Sequence, residues 1–319
     1  MTGSRQAPYK RAVIRSSPVA PTRQNTNHER PRTSSEELTE GLTKLGGMNA
    51  PLTKVELAGV PETALWNLYQ RASAARAGHL DDPRAVEVLV RLDYPFERFD
   101  VPYRGLAARL HAQRVRTVDA ALRRVLAGAP DATVVALGEG FETQFWRVDD
   151  GRLRWLSLDL PEVVAVRRVV LPDGPRNRTL TGSAVDAEWT AQVDRERPVI
   201  ITAQGLLPYF ERGEVHRLFN AWARLLPGAW LLFDAVTEHL QAVRRRNPLP
   251  DGYRPPEWTW TVDADELRQL RELPGLTDLH EVPQAGGDRL LGVLRWVPGL
   301  KSQLPAFPVF QARLGLDAA

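Results

Sequence analysis

The pattern of apolar and polar positions divides the chain near residue 61. Residues 1–50 are rich in Ser, Thr, Pro, Asn and Arg and carry no sustained apolar period. Such a segment cannot bury enough surface to offset its ordering entropy, so it reads as a disordered basic tail. From residue 61 the period becomes helical, and "PETALWNLYQRASAAR" puts Leu65, Leu68, Tyr69 and Ala72 on one face. "DDPRAVEVLVRLD" starts with an Asp cap and a Pro in the first turn. "GLAARLHAQRVRTVDAALRRVLAG" predicts a long amphipathic helix ending at Gly128. These helices precede any main strand, so they form a cap or an added layer.

Strand and helix signals then alternate. Strands are predicted at 132–138, 153–159, 178–185, 198–204 and 229–235, with helices at 141–148, 161–169 and 211–226 between them. A final pair, 276–283 and 288–296, is joined by "QAGG" and reads as an antiparallel hairpin. This alternation implies an α/β fold, a mostly parallel sheet covered by helices on both faces. The expected division is a tail over 1–50, one domain over 51–299 and a C-terminal extension over 300–319.

Composition narrows the picture. With 319 residues, 43% hydrophobic content and nine tryptophans, the chain can bury a sizeable core. The absence of cysteine excludes disulfides and thiolate metal sites and suits a reducing, cytoplasmic compartment. The six histidines show no metal-ligand spacing, so no metal is expected; His111 and His239 are kept as candidate bases. The most apolar window, 221–236, is broken by Arg224, Pro227 and Asp234, so no membrane span is expected. Of the net charge of +3, residues 1–35 hold seven basic side chains and one acid, which leaves the remainder mildly acidic. That distribution argues against a nucleic-acid partner.

The candidate chemistry sits in "ATVVALGEGFET", where a β-branched run drops into Gly138-Glu139-Gly140. In a sheet of this kind ligands bind at the carboxyl ends of the strands, beside the first strand. Asp159, at the end of the second strand, can accept both hydroxyls of a ribose. A dinucleotide site and an S-adenosyl-L-methionine (SAM) site fit these facts equally. Thr143 separates them, because a dinucleotide fingerprint needs a third glycine there. Glu142 beside it would repel a pyrophosphate, whereas SAM carries a sulfonium and an ammonium. The loop favours SAM over an NAD(P)-dependent oxidoreductase.

Five ordered blocks, "PETALWNLYQRA", "DPRAVEVL…LDYPFERF", "LGEGFETQFWRVDDGRLRWLSLDLPEVVAVRR", "GSAVDAEW" and "TAQGLLPYFERGEVHRLF", together resemble the leucine carboxyl methyltransferase family, in its bacterial branch of tetracenomycin-polyketide-type O-methyltransferases. The resemblance spans roughly residues 51–297. It implies a class I methyltransferase fold, a Rossmann-like sheet of seven strands with an antiparallel last strand. It also implies transfer of a methyl group from SAM to a carboxylate or phenolic hydroxyl of a small-molecule acceptor, such as a polyketide-like aromatic. The alternative is a SAM-binding protein with reduced or no catalysis.

Position by position, the resemblance makes Arg114 the residue that grips the SAM carboxylate. It sets Gly138 and Gly140 under the methionine moiety and Asp159 on the ribose. Leu160 would flank the adenine, and Asp186 would bond its amino group. Tyr69, Arg71 and Tyr209 would face the acceptor, with Tyr209 nearest the methyl group. Trp258 and Trp260 are candidate walls of an aromatic pocket, against a plain core role. Three positions depart from the family pattern. Gln204 stands for the usual Glu, Gln144 for the usual Arg, and Glu139 for a small or neutral residue. On this reading Gln204→Glu would restore charge at the SAM ammonium and tighten binding modestly.

Overall fold

The computed structural model describes residues 51–100, 104–246, 253–286 and 307–315. The expected tail at 1–50 and the whole of the expected strand at 288–296 lie outside these residues. Two short strands, β1 (Thr53–Lys54) and β2 (Leu92–Asp93), pair in parallel beside the cap. The cap helices are α1 (Thr63–Arg76), α2 (Pro83–Val90) and α3 (Arg104–Gly128). Asp82 caps α2 as its sequence suggests, its carboxylate accepting from the Ala85 amide at 3.0 Å.

The sheet is built from β3 (Thr133–Leu137), β4 (Arg154–Asp159), β5 (Asn177–Thr181), β6 (Val199–Ala203), β7 (Trp230–Asp234), β8 (Leu276–Glu281) and β9 (Val309–Leu314). Helices α4 (Gln144–Val148), α5 (Pro161–Val170), α6 (Arg212–Leu225), α7 (Glu238–Arg246) and α8 (Ala264–Arg271) connect them. The seven strands lie in the order β5-β4-β3-β6-β7-β9-β8. β3 to β7 pair in parallel, and β9 runs antiparallel to both β7 and β8. This is the class I order with an antiparallel last strand.

One expectation needs correcting. β8 falls within the predicted 276–283, but its partner is 309–314, inside the stretch set aside as an extension. β9 belongs to the sheet, inserted between β7 and β8, with Phe310 and Ala312 buried at 2% and 0% exposure.

Alternation along the strands feeds two cores. Val135, Leu137, Ile201 and Phe233 pack with Phe219 and Trp222 of α6 on one face. Val134, Ala136 and Leu232 pack with Val118 and Leu122 of α3 on the other. A third cluster joins α1, α2 and the turn Phe96–Phe99 to Phe141 and to Val163 of α5. The cap is thereby bound to the loop after β3 and to the helix after β4. No helix among the described residues is long and apolar enough to cross a membrane.

Candidate active site

The chain runs from β3 outward to β5 and then returns to β6 on the other side, so the switch point lies between β3 and β6. A cavity of about 290 Å³ opens there, walled by the loop after β3, Asp159, Leu160, Gly182 to Ala184 and Gln204 to Leu206. Gly138 and Gly140 have φ of 60° and 57°, where a side chain is strained. A Cβ on Gly140 would lie 2.8 Å from Ala64 Cβ in α1, and one on Gly138 would meet Leu206 Cδ1 at 2.7 Å. The glycines therefore admit the protein's own neighbours at close range, and α1 lies down over the loop.

Asp159 holds that loop open to the cavity. Its Oδ2 accepts from the Gly140 amide at 2.6 Å, and its Oδ1 from the Leu160 amide at 2.8 Å. Burial pushes its pKa up, against these two hydrogen bonds and the Arg167 charge. Spare lone pairs on both oxygens remain suited to ribose hydroxyls.

Underneath lies a buried ionic layer that the sequence did not reveal. Arg167, 2% exposed, donates to the carbonyls of Gly140 and Glu142, to Ser157 Oγ and, at 3.0 Å, to Glu139 Oε2. The other Glu139 oxygen accepts from Trp155 Nε1. Glu142 pairs with Arg71 at 2.9 Å and Arg147 at 2.8 Å. Burial alone would raise the Glu142 carboxyl, but these two guanidiniums bring it down to about 2. Both glutamates border the cavity, but each is paired with arginine, so Glu142 does not present the bare carboxylate that the loop sequence suggested. Thr143, where a dinucleotide motif has glycine, is fully buried and donates its hydroxyl to Asp82.

The two glutamines that the resemblance set apart, Gln204 and Gln144, touch. Gln204 Nε2 donates to Gln144 Oε1 at 2.8 Å, and Gln144 Nε2 donates to Asp119 at 2.8 Å. Arg147, one turn beyond Gln144, donates to Asp119 at 2.8 Å and balances its charge. The contact gives Gln204→Glu a structural cost separate from the expected effect on SAM affinity. Its carboxylate would face an amide oxygen whose amino group is already committed to Asp119. The single substitution should cost about 1–2 kcal/mol of stability, and adding Gln144→Arg should recover most of it. Urea unfolding of both variants tests this, and a Gln204→Glu protein as stable as the parent would refute it.

Of the residues singled out from sequence, Arg71, Arg114, Gly138, Gly140, Asp159, Leu160, Gln204 and Tyr209 all lie on the wall of this cavity. Arg114 is buried and already ion-paired with Asp234, which also accepts from the Gly205 amide at 2.7 Å. Three others lie elsewhere. Asp186 is exposed, because β5 ends at Thr181 and not at 185, so that Ser183 and Ala184 reach the wall instead. Nor does Asp186 cap the following turn, whose cap is Ala187. Tyr69 packs between Phe96 and Phe99 with its hydroxyl on Asp100, and burial pushes its pKa up to about 12. Trp260 is a core residue against Phe233, its Nε1 donating to Glu266 at 2.8 Å.

A second cavity of about 940 Å³ adjoins the first, and Thr63, Asn67, His111, Arg114, Gly205 and Tyr209 line both. Trp66, Tyr253, Trp258 and Phe307 give it aromatic walls, while Arg244, Arg245 and Arg254 give it a basic side. Trp258 is on the wall of this cavity, with the Arg244 guanidinium 4.1 Å from its ring centre. Asn67 and Ser183 were missed, and neither carries a sequence signal. Arg167 did carry one, since it falls on the apolar stripe of α5 with Val163, Val164 and Val170.

The leucine carboxyl methyltransferase family model matches residues 100–223. The tetracenomycin polyketide synthesis O-methyltransferase TcmP of Streptomyces glaucescens is 32% identical over 185 residues, 57% of this chain and 68% of that protein. The SAM-dependent methyltransferase dpfgK of Gibberella zeae is 29% identical over 193 residues, 55% of this chain and 64% of that protein. Among solved structures, the CurJ carbon methyltransferase overlays with a TM-score of 0.47 and 13% identity over 90% of this chain and 72% of its own. Human N-acetylserotonin methyltransferase in complex with SAM gives 0.42 and 16% over 79% and 66%. The chain belongs to the leucine carboxyl methyltransferase family and is a SAM-dependent methyltransferase.

Proposed function

We propose that the protein methylates an oxygen, carboxylate or phenolic hydroxyl, of a small aromatic acceptor held in the larger cavity. SAM supplies a methyl group already activated on a sulfonium, so the protein's task is to align it with the acceptor and exclude water. The smaller cavity fits that cofactor in chemistry. Asp159 offers oxygens to a ribose, Leu160 an apolar face to a purine, and Arg114 a fork to a carboxylate. Gln204 lies on the same wall and can accept from an ammonium. The observation that carries the acceptor reading is the larger cavity. Its aromatic walls suit a flat ring, and its three arginines suit an anionic substituent. Tyr209, on the wall of both cavities, is the side chain we place beside the transferred methyl.

Two measurements test the reading. SAM at ~100 times its Kd should stabilise the protein by about 2.7 kcal/mol, seen as a raised melting temperature. Methyl-labelled SAM should then pass its label to oxygens of phenols or aromatic acids in a panel of acceptors. Label appearing only on nitrogen or carbon, or no stabilisation by SAM, would sink it.

A further inference from the structure

One ionisable group at the junction of the two cavities has no part in holding the loop. His111 lies on α3 one turn before Arg114, is 6% exposed and lines both cavities, with its ring edge-on to Phe307. The other five residues shared by the cavities offer no side chain able to take a proton near neutral pH. Thr63 and Asn67 are neutral, Gly205 has no side chain, Arg114 is cationic and Tyr209 is a phenol. Asp234 is nearby, but both its oxygens are engaged, by Arg114 and by the Gly205 amide. His239, the other candidate base, is exposed on α7 and lines neither cavity.

We propose that the His111 imidazole accepts the proton of an acceptor hydroxyl as its oxygen is methylated. This rests on the methyltransferase reading above and selects a hydroxyl, since a carboxylate is ionised already and needs no base. In the step, an oxygen lone pair forms the O–CH3 bond. The methyl–sulfur bond breaks with its electron pair left on sulfur, and the hydroxyl proton passes to His111 and then to solvent.

The electrostatics suit this role. Burial pushes the imidazole well below its ordinary pKa, the Arg114 and Arg71 charges add to that, and Glu142 opposes them. His111 is thereby kept neutral and ready to accept. A weak base suffices because a phenol, with a pKa of about 10, becomes a strong acid as its oxygen is alkylated. The proton then moves downhill to any base between those limits. The imidazolium also forms as the positive charge of the sulfonium disappears, so the net charge beside the two arginines does not rise.

The test uses the full chain with 1-hydroxy-2-naphthoic acid, which offers a hydroxyl and a carboxylate on one ring. With His111→Gln and His111→Ala, formation of the methyl ether should fall about 100-fold or more. Formation of the methyl ester should fall far less, so that the ether-to-ester ratio drops at least about tenfold, and added imidazole should restore ether formation to His111→Ala. Equal losses of ester and ether, or no loss of ether, would overturn the proposal, as would a parent protein that makes only ester. A second readout needs no turnover. In 15N-histidine spectra of the cofactor-free protein, the resonance missing from His111→Gln should be neutral at pH 7 and shift on adding 2-naphthol. A charged or unmoved imidazole overturns the proposal even where the probe is not methylated. A parent protein that fails to transfer any methyl while this resonance does respond would instead count against the acceptor reading.

Discussion

Replacing Arg167 by Met should destabilise the protein by about 3–5 kcal/mol, the usual cost of stripping one partner from a buried ion pair. Arg167 and Glu139 are each 2% exposed at the side chain, so solvent screening relieves little of this. The methionine fills similar volume, but Glu139 loses its counter-charge and the carbonyls of Gly140 and Glu142 lose their donor. Glu139→Gln in the same chain removes the stranded charge while its amide oxygen can still accept from Trp155. The double variant should therefore be more stable than Arg167→Met alone. The pH dependence has a definite sign. Burial already pushes the Glu139 carboxyl up against the pull of Arg167, and losing that pull pushes it further. A carboxyl raised in the folded state favours folding below its unfolded pKa and opposes it as pH rises. The deficit of Arg167→Met should accordingly shrink as pH falls from 7 towards 5. Urea midpoints at the two pH values, with unchanged slopes, measure this. A deficit that is small at pH 7, or grows on acidification, would remove Arg167 as the anchor of the loop.

What the sequence disclosed and what it hid follow from the range of the interactions involved. β3 and β6 are buried along their whole length, and β4 and β7 over four residues each, as largely apolar runs, and such runs announce themselves locally. β9 does not, because its place is set by pairing with β7, more than seventy residues earlier. The leucine-rich 288–296 carries an equally good local strand pattern, and local periodicity cannot rank the two. The misplaced site residues share a second cause. Tyr69 on the apolar face of α1 and Trp260 in the irregular segment before α8 are aromatic residues next to other apolar ones, and that pattern is the same for a core wall as for a pocket wall. Asp186 lies off the cavity because of a boundary, since a strand that ends four residues earlier than expected brings a different part of the loop to the wall. The Gln144–Gln204 contact is the opposite case. Each glutamine looked like a loss of charge when read singly, and only their proximity shows them to be the two ends of one hydrogen bond.

Asp159 should prove to serve binding and loop geometry with different sensitivities, and two substitutions separate them. Asp159→Ala removes the acceptor for both the Gly140 and Leu160 amides as well as any bond to a ribose. Asp159→Asn keeps one carbonyl oxygen, enough for one amide, and removes a buried charge whose pKa is already raised by desolvation. Stability of Asp159→Asn should therefore lie within about 1 kcal/mol of the parent, one hydrogen bond lost against a desolvation cost relieved. Affinity should respond far more. Hydrogen bonds to an ionised acceptor are worth about 1.5–3 kcal/mol, so the SAM Kd should rise roughly 10- to 100-fold in both variants. The parent should also lose affinity on acidification, because protonating Asp159 removes acceptor capacity, and the raised pKa brings that loss to higher pH than an exposed aspartate would. Neither variant should show this acid limb. Calorimetric titration with SAM at pH 7.5 and pH 5 resolves all three quantities. An Asp159→Asn protein that binds SAM like the parent would leave Asp159 with the loop alone, and the ribose would then have to be held by groups on the Gly182 to Ala184 side of the cavity.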